Sequence, residues 1–273
     1  MKKVFLLLFI MVHLLLGKGT WKNTVVSSMN INQVSFTNWQ KGGENAVSWS
    51  ARLDGRFYYK DSVNNWDSNI KLVFGQTKTN DDPFKKSVDE IRLTSVYSKK
   101  MGIYVDPYIS LKIESQIAPG YKFSSEGDRV VSKFFDPGYF TQSVGVGLSP
   151  VEPVKIRAGL AVKETFTFEY PAPYADDPNT PKIEKTKVEK GAELSMDINW
   201  EINKTVLFKS NTAVFSNLEM LREVDVKIDN LIVSKLSKYF NINFEYNILY
   251  DYNQSKKIQI REAFAFGVSI NLL

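Results

Sequence analysis

Large apolar side chains recur at every second position over most of the chain, and this period of two predicts β-strands. Residues 47–60 show it most clearly, because Trp49 and Leu53 alternate there with Arg52 and Asp54. The same alternation recurs in residues 109–114, 154–160, 192–202 and 258–272. After residue 20 no apolar run approaches the roughly 18 residues that a membrane helix needs. The chain is therefore predicted to be all-β.

The strands are predicted to close into a transmembrane, antiparallel, up-and-down β-barrel of about twelve strands. The apolar face would meet lipid, and the polar face would line a lumen. An even number of strands places the N- and C-termini at the same end, which we expect to be periplasmic. The predicted strands are residues 27–39, 45–60, 68–78, 88–99, 104–117, 138–149, 154–168, 188–202, 205–216, 223–236, 240–252 and 257–272.

Short turns and longer links both occur between these strands, as in outer-membrane barrels. The short turns are predicted at residues 61–67, 100–103, 150–153, 203–204 and 237–239. The longer links, which are the candidate outside loops, are residues 79–87, 118–137 and 169–187. We expect the short turns not to share one end of the barrel, and at least one strand boundary therefore to be misplaced.

The first 19 residues have the layout of a cleavable secretory signal peptide, with two lysines, an apolar run and then small residues. An uncleaved membrane anchor is the alternative interpretation. Cleavage would leave residues 20–273 as one outer-membrane barrel domain of 254 residues. Because the segment carries three lysines, the formal net charge would fall from +5 to +2. No basic cluster then remains to indicate a nucleic-acid partner.

Alternation alone does not separate a membrane barrel from a soluble sandwich or lipocalin-like barrel, which buries its apolar face in a protein core. Length favours the membrane barrel, since twelve strands with their connections would take roughly 21 residues each, a normal spacing for outer-membrane barrels. Aromatic residues also cluster near predicted strand ends in two sets, as interfacial girdles would, although aromatics favour strands in general. One set is Tyr59, Trp66, Tyr104, Trp200 and Tyr239, and the other is Trp39, Phe168, Tyr170, Tyr250 and Tyr252.

The closing strand has an apolar face, interrupted by Glu262, and is expected to be recognised by the barrel-assembly machinery. Its last residue, Leu273, departs from the aromatic ending of most outer-membrane barrels. Outer-membrane lipid and lipopolysaccharide are the other expected partners, together with small polar solutes.

The opening of the mature chain carries a recognisable motif. Residues 32–39 read Asn-Gln-Val-Ser-Phe-Thr-Asn-Trp, and residues 42–48 read Gly-Gly-Glu-Asn-Ala-Val-Ser. These segments resemble a family of predicted outer-membrane barrels of Bacteroidetes-type bacteria that is catalogued only as a domain of unknown function, with Ala46 in place of its usual serine. Further segments that resemble the family are residues 89–95, 118–121 and 137–141 and the closing strand. The resemblance implies the fold and the location, and it assigns no functional residues.

The mature chain is expected to contain neither histidine nor cysteine, because His13 is the single histidine and the sequence has no cysteine. Histidine is the usual base of outer-membrane hydrolases, and zinc sites normally need one of these two residue types. We therefore predict that the protein is not an enzyme and has no cofactor. The acidic pairs Asp81-Asp82 and Asp176-Asp177 lack the spacing of a calcium site.

The strand face opposite the apolar one carries charges of both signs and is predicted to line the lumen. The candidate lumen-lining residues are Arg52, Asp54, Arg56, Lys71, Arg92, Lys112, Glu114, Arg157, Glu193, Asp197, Lys227, Glu245 and Arg261. Asp225 and Asp229 are further inward-facing candidates. Ion pairing in a low dielectric would plug the lumen, whereas unpaired like charges would make an ion-selective pore.

Three functions remain open at this point. The first hypothesis is a narrow pore or transporter for small polar solutes. The second is a structural or surface-interaction barrel with a closed lumen, which presents the loop at residues 169–187 to lipopolysaccharide or a protein partner. The third, a soluble periplasmic β protein, fits the sequence least well.

Overall fold

The computed structural model describes residues 19–37, 43–102, 105–122, 127–172, 174–177, 179–253 and 255–273. Apart from Gly19, the predicted signal peptide lies outside these ranges. Within them there is no helix long and apolar enough to cross a bilayer. The strands are β1 (Thr20–Val34), β2 (Ala46–Lys60), β3 (Asn64–Thr79), β4 (Lys85–Lys99), β5 (Asp106–Ser115), β6 (Gly120–Lys122), β7 (Arg129–Ser132), β8 (Gly138–Val151), β9 (Val154–Phe166), β10 (Thr186–Glu201), β11 (Val206–Asn217), β12 (Val224–Lys235), β13 (Phe240–Asp251) and β14 (Ser255–Asn271).

Twelve of these strands form one closed antiparallel barrel, which confirms the predicted fold class. Each barrel strand pairs with the preceding and following barrel strand, and β1 closes the ring against β14. The two remaining strands, β6 and β7, form a small separate hairpin within the connection between β5 and β8. Closure leaves no free sheet edge along the wall, which is the condition for a sheet to exist in lipid.

The barrel has its polarity reversed relative to a soluble protein. Outward-facing Ile109, Leu160 and Phe264 have 58%, 62% and 63% of their surface exposed, whereas Arg92 and Glu189 have 9% and 4%. A protein dissolved in water buries its large apolar residues and exposes its charges. The exposed apolar wall and the charged interior are what a barrel surrounded by hydrocarbon requires.

All five predicted short turns lie at one end of the barrel, so the expectation that they would not share an end is wrong. In an up-and-down barrel every second connection lies at the same end, and these turns are alternate connections along the chain. The connections concerned are residues 61–63, 100–105, 152–153, 202–205 and 236–239. The start of β1 and the end of β14 lie at this same end, where Leu273 accepts a hydrogen bond from the backbone N–H of Val25 at 3.0 Å.

Two strand boundaries differ clearly from the prediction. The first strand was predicted at residues 27–39, but β1 is Thr20–Val34 and pairs with β2 along its whole length. Of the predicted strand, residues 38–39 lie outside the described ranges. The third strand begins at Asn64 rather than at residue 68. The polar residues Asn65 and Asp67 suggested a turn, but they alternate with Trp66 along β3.

The turn between β2 and β3 is therefore only three residues long, and Asp61 closes it. The Asp61 carboxylate accepts hydrogen bonds from the Asn64 side chain at 2.9 Å and from the backbone N–H groups of Asn64 and Val63 at 2.6 and 2.8 Å. These donors favour the charged form, so the pKa of Asp61 is lowered well below its ordinary value.

Aromatic side chains gather at the short-turn end. Trp21 packs on Tyr59 and Trp66 with ring centroids 5.2 and 6.0 Å apart, and Trp200 and Tyr239 lie at the same end. Of the predicted girdle residues, Tyr104 and Trp39 lie outside the described ranges. Tyr250, Tyr252, Phe168 and Tyr170 lie at the opposite end of the barrel.

Two inward-facing glycines allow a tyrosine to lie flat against the barrel wall. Gly145 of β8 pairs with Gly159 of β9 and, on its other side, with Tyr108 of β5. Tyr108 is buried, and a Cβ atom on Gly159 would lie 2.9 Å from its hydroxyl group and closer still to the Val144 carbonyl. A side chain at position 159 therefore has no room.

We predict that Gly159→Ala destabilises the barrel by about 1–3 kcal/mol, the usual cost of overpacking. Gly102→Ala is the matched control, because no atom of the described residues lies within 4 Å of a Cβ at that position. The free energy of unfolding by urea in lipid vesicles measures both variants. Equal stabilities for the two would show that Tyr108 does not need the glycine.

Candidate functional site

The candidate site is the barrel interior, where ion pairs join strands that are not neighbours in the wall. Arg52 of β2 contacts Glu245 of β13 at 3.0 Å, three strands away around the ring. Lys155 of β9 contacts Asp67 of β3 at 2.8 Å, four strands away. Contacts of this kind require the side chains to cross the lumen.

The central pairs join opposite walls. Strands β4 and β12 are six positions apart in the twelve-strand ring, which is the largest separation available. Glu90 and Arg92 of β4 face Lys227 and Asp229 of β12 in two reciprocal ion pairs. The Lys227–Glu90 pair measures 2.9 Å, and Arg92 pairs with Asp229. These four residues are called the central clamp below.

The central clamp implies a flattened barrel. A round barrel of twelve strands spaced about 4.8 Å apart and tilted by about 40° is about 24 Å wide between opposite backbones. An arginine and an aspartate in direct contact span roughly half of that distance. The walls at β4 and β12 are therefore drawn together at this level, and the side chains fill the gap between them.

Further charges surround the central clamp. Glu114 of β5 accepts from Lys227 at 2.7 Å and lies 3.3 Å from Arg92, and Lys71 of β3 contacts Glu90 at 2.6 Å. The amide of Asn211 links Arg92, at 3.2 Å, to Asp197, at 2.5 Å. Each clamp residue thus has at least one charged partner, as buried charges require.

All thirteen candidate residues lie in barrel strands, and each takes part in at least one ion pair. Outside the central clamp and its neighbours, the pairs are Arg52–Asp54 at 2.5 Å, Arg56–Asp67 at 2.8 Å, Arg157–Asp197 at 2.5 Å, Lys112–Glu114 at 3.6 Å, Lys112–Glu193 at 3.9 Å, and Arg261–Glu245. Each of them therefore meets a counter-charge instead of forming a ring of one sign around a pore.

A chamber of about 580 Å³ lies between the central clamp and the long-loop end of the barrel. Glu90, Glu114, Lys227 and Asp229 form its floor, while Tyr139, Phe215, Lys163 and Asp225 line its side. Tyr174, from the connection between β9 and β10, also lines it. The chamber is large enough for a small organic molecule.

Two long connections are tied together beside this chamber. Asp136, before β8, is buried, and its carboxylate accepts hydrogen bonds from the backbone N–H groups of Phe168 and Glu169 at 3.1 and 2.7 Å. Lys133 pairs with Glu169 at 2.6 Å, and this hydrogen bond raises the pKa of Lys133. The loop at residues 169–187 is thus anchored to the connection between β5 and β8.

Sequence reasoning missed several charged residues of the interior. Glu90, Lys155, Lys163 and Glu189 were not singled out, although each pairs inside the barrel. Asp67 was assigned to a turn that proved shorter. Extending the period of two backwards from residue 71 would have found Asp67, and extending it backwards from Arg92 would have found Glu90, because the pairing of β3 with β4 is regular over these residues.

Among the described residues no group of three or more aspartate, glutamate, histidine or cysteine side chains is arranged to hold a metal ion.

The interior and the strand order allow comparison with known proteins. A family model described as a protein of unknown function (DUF3078) matches residues 31–121. This match confirms the resemblance to a family of unknown function, over a range from the end of β1 to β6. That the family belongs to Bacteroidetes-type bacteria stays a prediction. No curated protein matches the chain.

Several solved structures are similar in fold at low identity. The translocator domain of the autotransporter NalP from Neisseria meningitidis is 10% identical with a TM-score of 0.42, over 98% of this chain and 94% of that chain. The NanC porin is 10% identical with a TM-score of 0.38, over 90% and 97%. An outer membrane channel from Pseudomonas putida F1 is 9% identical with a TM-score of 0.39, over 93% and 95%. No residue role is transferred from these proteins.

We predict that Arg92→Met destabilises the barrel by about 3–5 kcal/mol, because it leaves Glu90 and Asp229 without their shared cation in a buried setting. Lys85→Ala, which removes an exposed pair with Asp82, should leave the stability almost unchanged, because solvent screens exposed ion pairs. Urea unfolding in lipid vesicles measures both variants. If Arg92→Met were as stable as Lys85→Ala, the interior pairs would be fully hydrated and the central clamp would not hold the walls together.

Proposed function

We propose that this chain is an outer-membrane β-barrel whose lumen is sealed at mid-height by ion pairs, and which holds a solute chamber open towards the cell exterior. The reciprocal pairing of Glu90 and Arg92 with Lys227 and Asp229 is the observation that carries this proposal. It favours the closed-lumen hypothesis over the constitutively open pore. The chamber at the long-loop end adds a binding function to the structural role.

The membrane location is supported by the outer wall. Large apolar side chains cover it, and the charged residues of the strands that form ion pairs lie inside. In outer-membrane barrels the short turns are periplasmic and the long loops are outside. On that rule the end with both termini is periplasmic, and the chamber faces outward.

An open pore for small polar solutes needs a continuous water path along the barrel axis. On this proposal the central clamp and the charges around it interrupt that path, because side chains from opposite walls meet directly. A transporter that opens only transiently remains the second candidate, since ion pairs exchange for hydration at little net cost in free energy. The two candidates differ in whether the unmodified barrel conducts.

The expected partners follow from the same arrangement. Outer-membrane lipid and lipopolysaccharide would surround the apolar wall, and β14 would be the strand recognised by the barrel-assembly machinery. The loop at residues 169–187 is anchored to the neighbouring connection through Asp136, so we expect it to act as a cover for the chamber more than as a free extension.

We predict a depth-dependent cost for arginine on the outer wall. Leu160 lies in the middle of β9, whereas Val188 lies near the long-loop end of β10, and both are exposed. Leu160→Arg should destabilise the barrel by about 2–4 kcal/mol and Val188→Arg by about 0–1 kcal/mol, because only the first places the charge in the hydrocarbon centre. Urea unfolding in lipid vesicles measures both. Equal costs, or a folded protein without any amphiphile, would contradict the membrane location.

We predict that the refolded barrel shows no steady conductance in planar bilayers. The double variant Arg92→Ala with Lys227→Ala should show discrete conductance steps, because it removes the cations that hold the opposite walls together and leaves carboxylates that repel each other. The double variant Lys85→Ala with Lys204→Ala removes the same charge from exposed connections and is the matched control.

The conductance experiment has two outcomes that contradict the proposal. Steady steps from the unmodified barrel would establish the open pore. Silence from the Arg92 and Lys227 variant, in barrels that remain folded by circular dichroism, would mean that something other than the central clamp closes the lumen.

A further inference from the structure

We infer that Tyr174 sets the size limit for solutes that enter the chamber, and that Asp136 is the residue that positions it there. The inference rests on the proposed function, because it takes the chamber to be closed below by the central clamp and to face outward. Nothing in the family match or in the similar structures assigns such a role to either residue.

The upper edge of the chamber is formed by connections and not by strands. Gln116 and Pro137 line the chamber from the connection between β5 and β8, and Tyr174 lines it from the connection between β9 and β10. The other lining residues of the described chain belong to barrel strands. A solute that arrives from the long-loop end must therefore pass these three residues, and Tyr174 has the largest side chain among them.

Tyr174 is held in one position within its own connection. The carbonyl oxygen of Pro171 accepts hydrogen bonds from the backbone N–H groups of Tyr174 and Ala175, both at 2.7 Å. Ala175 is buried, and the hydroxyl group of Tyr174 is hydrogen-bonded to the side chain of Ser132, at the end of β7. Because both its backbone and its hydroxyl group are bound, the ring stays at the entrance and narrows it.

Asp136 holds the start of the connection that carries Tyr174. Its buried carboxylate accepts hydrogen bonds from three successive backbone N–H groups, those of Phe168, Glu169 and Tyr170, at 3.1, 2.7 and 3.3 Å. Hydrogen bonds to a charged group are stronger than neutral ones, and buried N–H groups without an acceptor are costly. Removing this acceptor should therefore release residues 168–170 into water, and Tyr174 would lose its fixed position.

The position of Asp136 is itself fixed, because the connection that carries it is tied to the barrel wall. The buried carboxylate of Asp89, in β4, accepts hydrogen bonds from the backbone N–H groups of Ile117 and Ala118 at 2.7 and 2.9 Å. The side chain of Gln116 then donates to the carbonyl oxygen of Asp136 at 3.3 Å. Asp136 is thus anchored to β4 through this connection, and it holds the connection between β9 and β10 from there.

The test places a single thiol in the chamber, which leaves no background because the chain has no cysteine. Ala213→Cys puts the thiol in the chamber wall, on β11, and Asp81→Cys puts it in the exposed connection between β3 and β4 as the control. The full-length barrel, folded in detergent micelles, is labelled with N-ethylmaleimide or with the wider N-(1-pyrenyl)maleimide. Both reagents are uncharged and share one reactive group, so the labelling rates at the two thiols measure the size limit.

The Tyr174 variants test the size limit. Tyr174→Ala should raise the rate at which the pyrenyl reagent labels Ala213→Cys by about tenfold, because the ring no longer narrows the entrance. Tyr174→Phe keeps the ring and should change this rate by less than about twofold. N-ethylmaleimide, which is narrower, should respond less to Tyr174→Ala, and the rates at Asp81→Cys should not change. Equal rates of pyrenyl labelling in Tyr174→Ala and Tyr174→Phe would overturn the inference.

The Asp136 variant tests the positioning. Asp136→Asn keeps the shape of the side chain but turns an amide N–H₂ group towards backbone donors, so it should raise the pyrenyl rate by about tenfold although Tyr174 is still present. Asp128→Asn makes the same change of charge at an exposed site in the same connection and should leave the rate unchanged. An unchanged rate in Asp136→Asn, in barrels that remain folded by circular dichroism, would overturn the role of Asp136.

Failure of the proposed function is recognised separately. Loss of the seal at the central clamp appears as conductance of the unmodified barrel, whereas failure of the size limit appears as fast pyrenyl labelling of Ala213→Cys in a barrel that does not conduct. Labelling of Ala213→Cys by the wider reagent as fast as Asp81→Cys would overturn the inference in either case.

Discussion

A charged side chain inside a barrel must either keep its water or meet an opposite charge, because leaving it bare in a low dielectric is too costly. In this interior the charged side chains meet opposite charges. Glu90 and Arg92 on one wall reach Lys227 and Asp229 on the opposite wall, and Glu114 and Lys71 complete the shell around them. The flattened cross-section and the separate chamber follow from that pairing, and so would the proposed seal at mid-height. With the same strands and fewer counter-charges, a round and water-filled barrel would be expected.

Flattening a closed sheet bends it most sharply a quarter turn away from the walls that approach each other. With β4 and β12 drawn together, the sharp bends fall near β9 and near β1. Inward-facing glycines occur at both places. Gly145 and Gly159 lie side by side in β8 and β9, and Gly267 in β14 lies where a Cβ would meet Asn30, Asn241 and Asn243. Inward side chains crowd each other at a sharp bend, so residues without a side chain let the wall curve while its hydrogen-bond ladders stay intact.

The period of two in the sequence was sufficient to predict twelve strands and the strand face that carries the thirteen candidate charges, because strand geometry alone determines both. It failed where polar residues suggested a turn, as at Asp67, and where the small and polar start of β1 hid a strand. It also contained no information about which strand would lie opposite which. Arg92 was recognisable as an inward-facing residue, but its contact with Asp229 depends on the curvature of the whole barrel. The proposed seal would therefore be a property of the closed ring and not of any segment.

A seal made of charges behaves differently from one made of apolar side chains. An apolar plug of equal volume would gain free energy from every part of its buried surface, and opening it would lose all of that gain. An ion pair gives up the hydration of both partners when it forms, and it recovers that hydration when it opens, so the net free energy of closure is small relative to the number of contacts. Removing one partner alone is costly, whereas separating both into water is not. On the proposed function, the residues that would close this lumen would also leave it able to open, and a ligand that altered the charge balance in the chamber above the central clamp would act directly on that equilibrium.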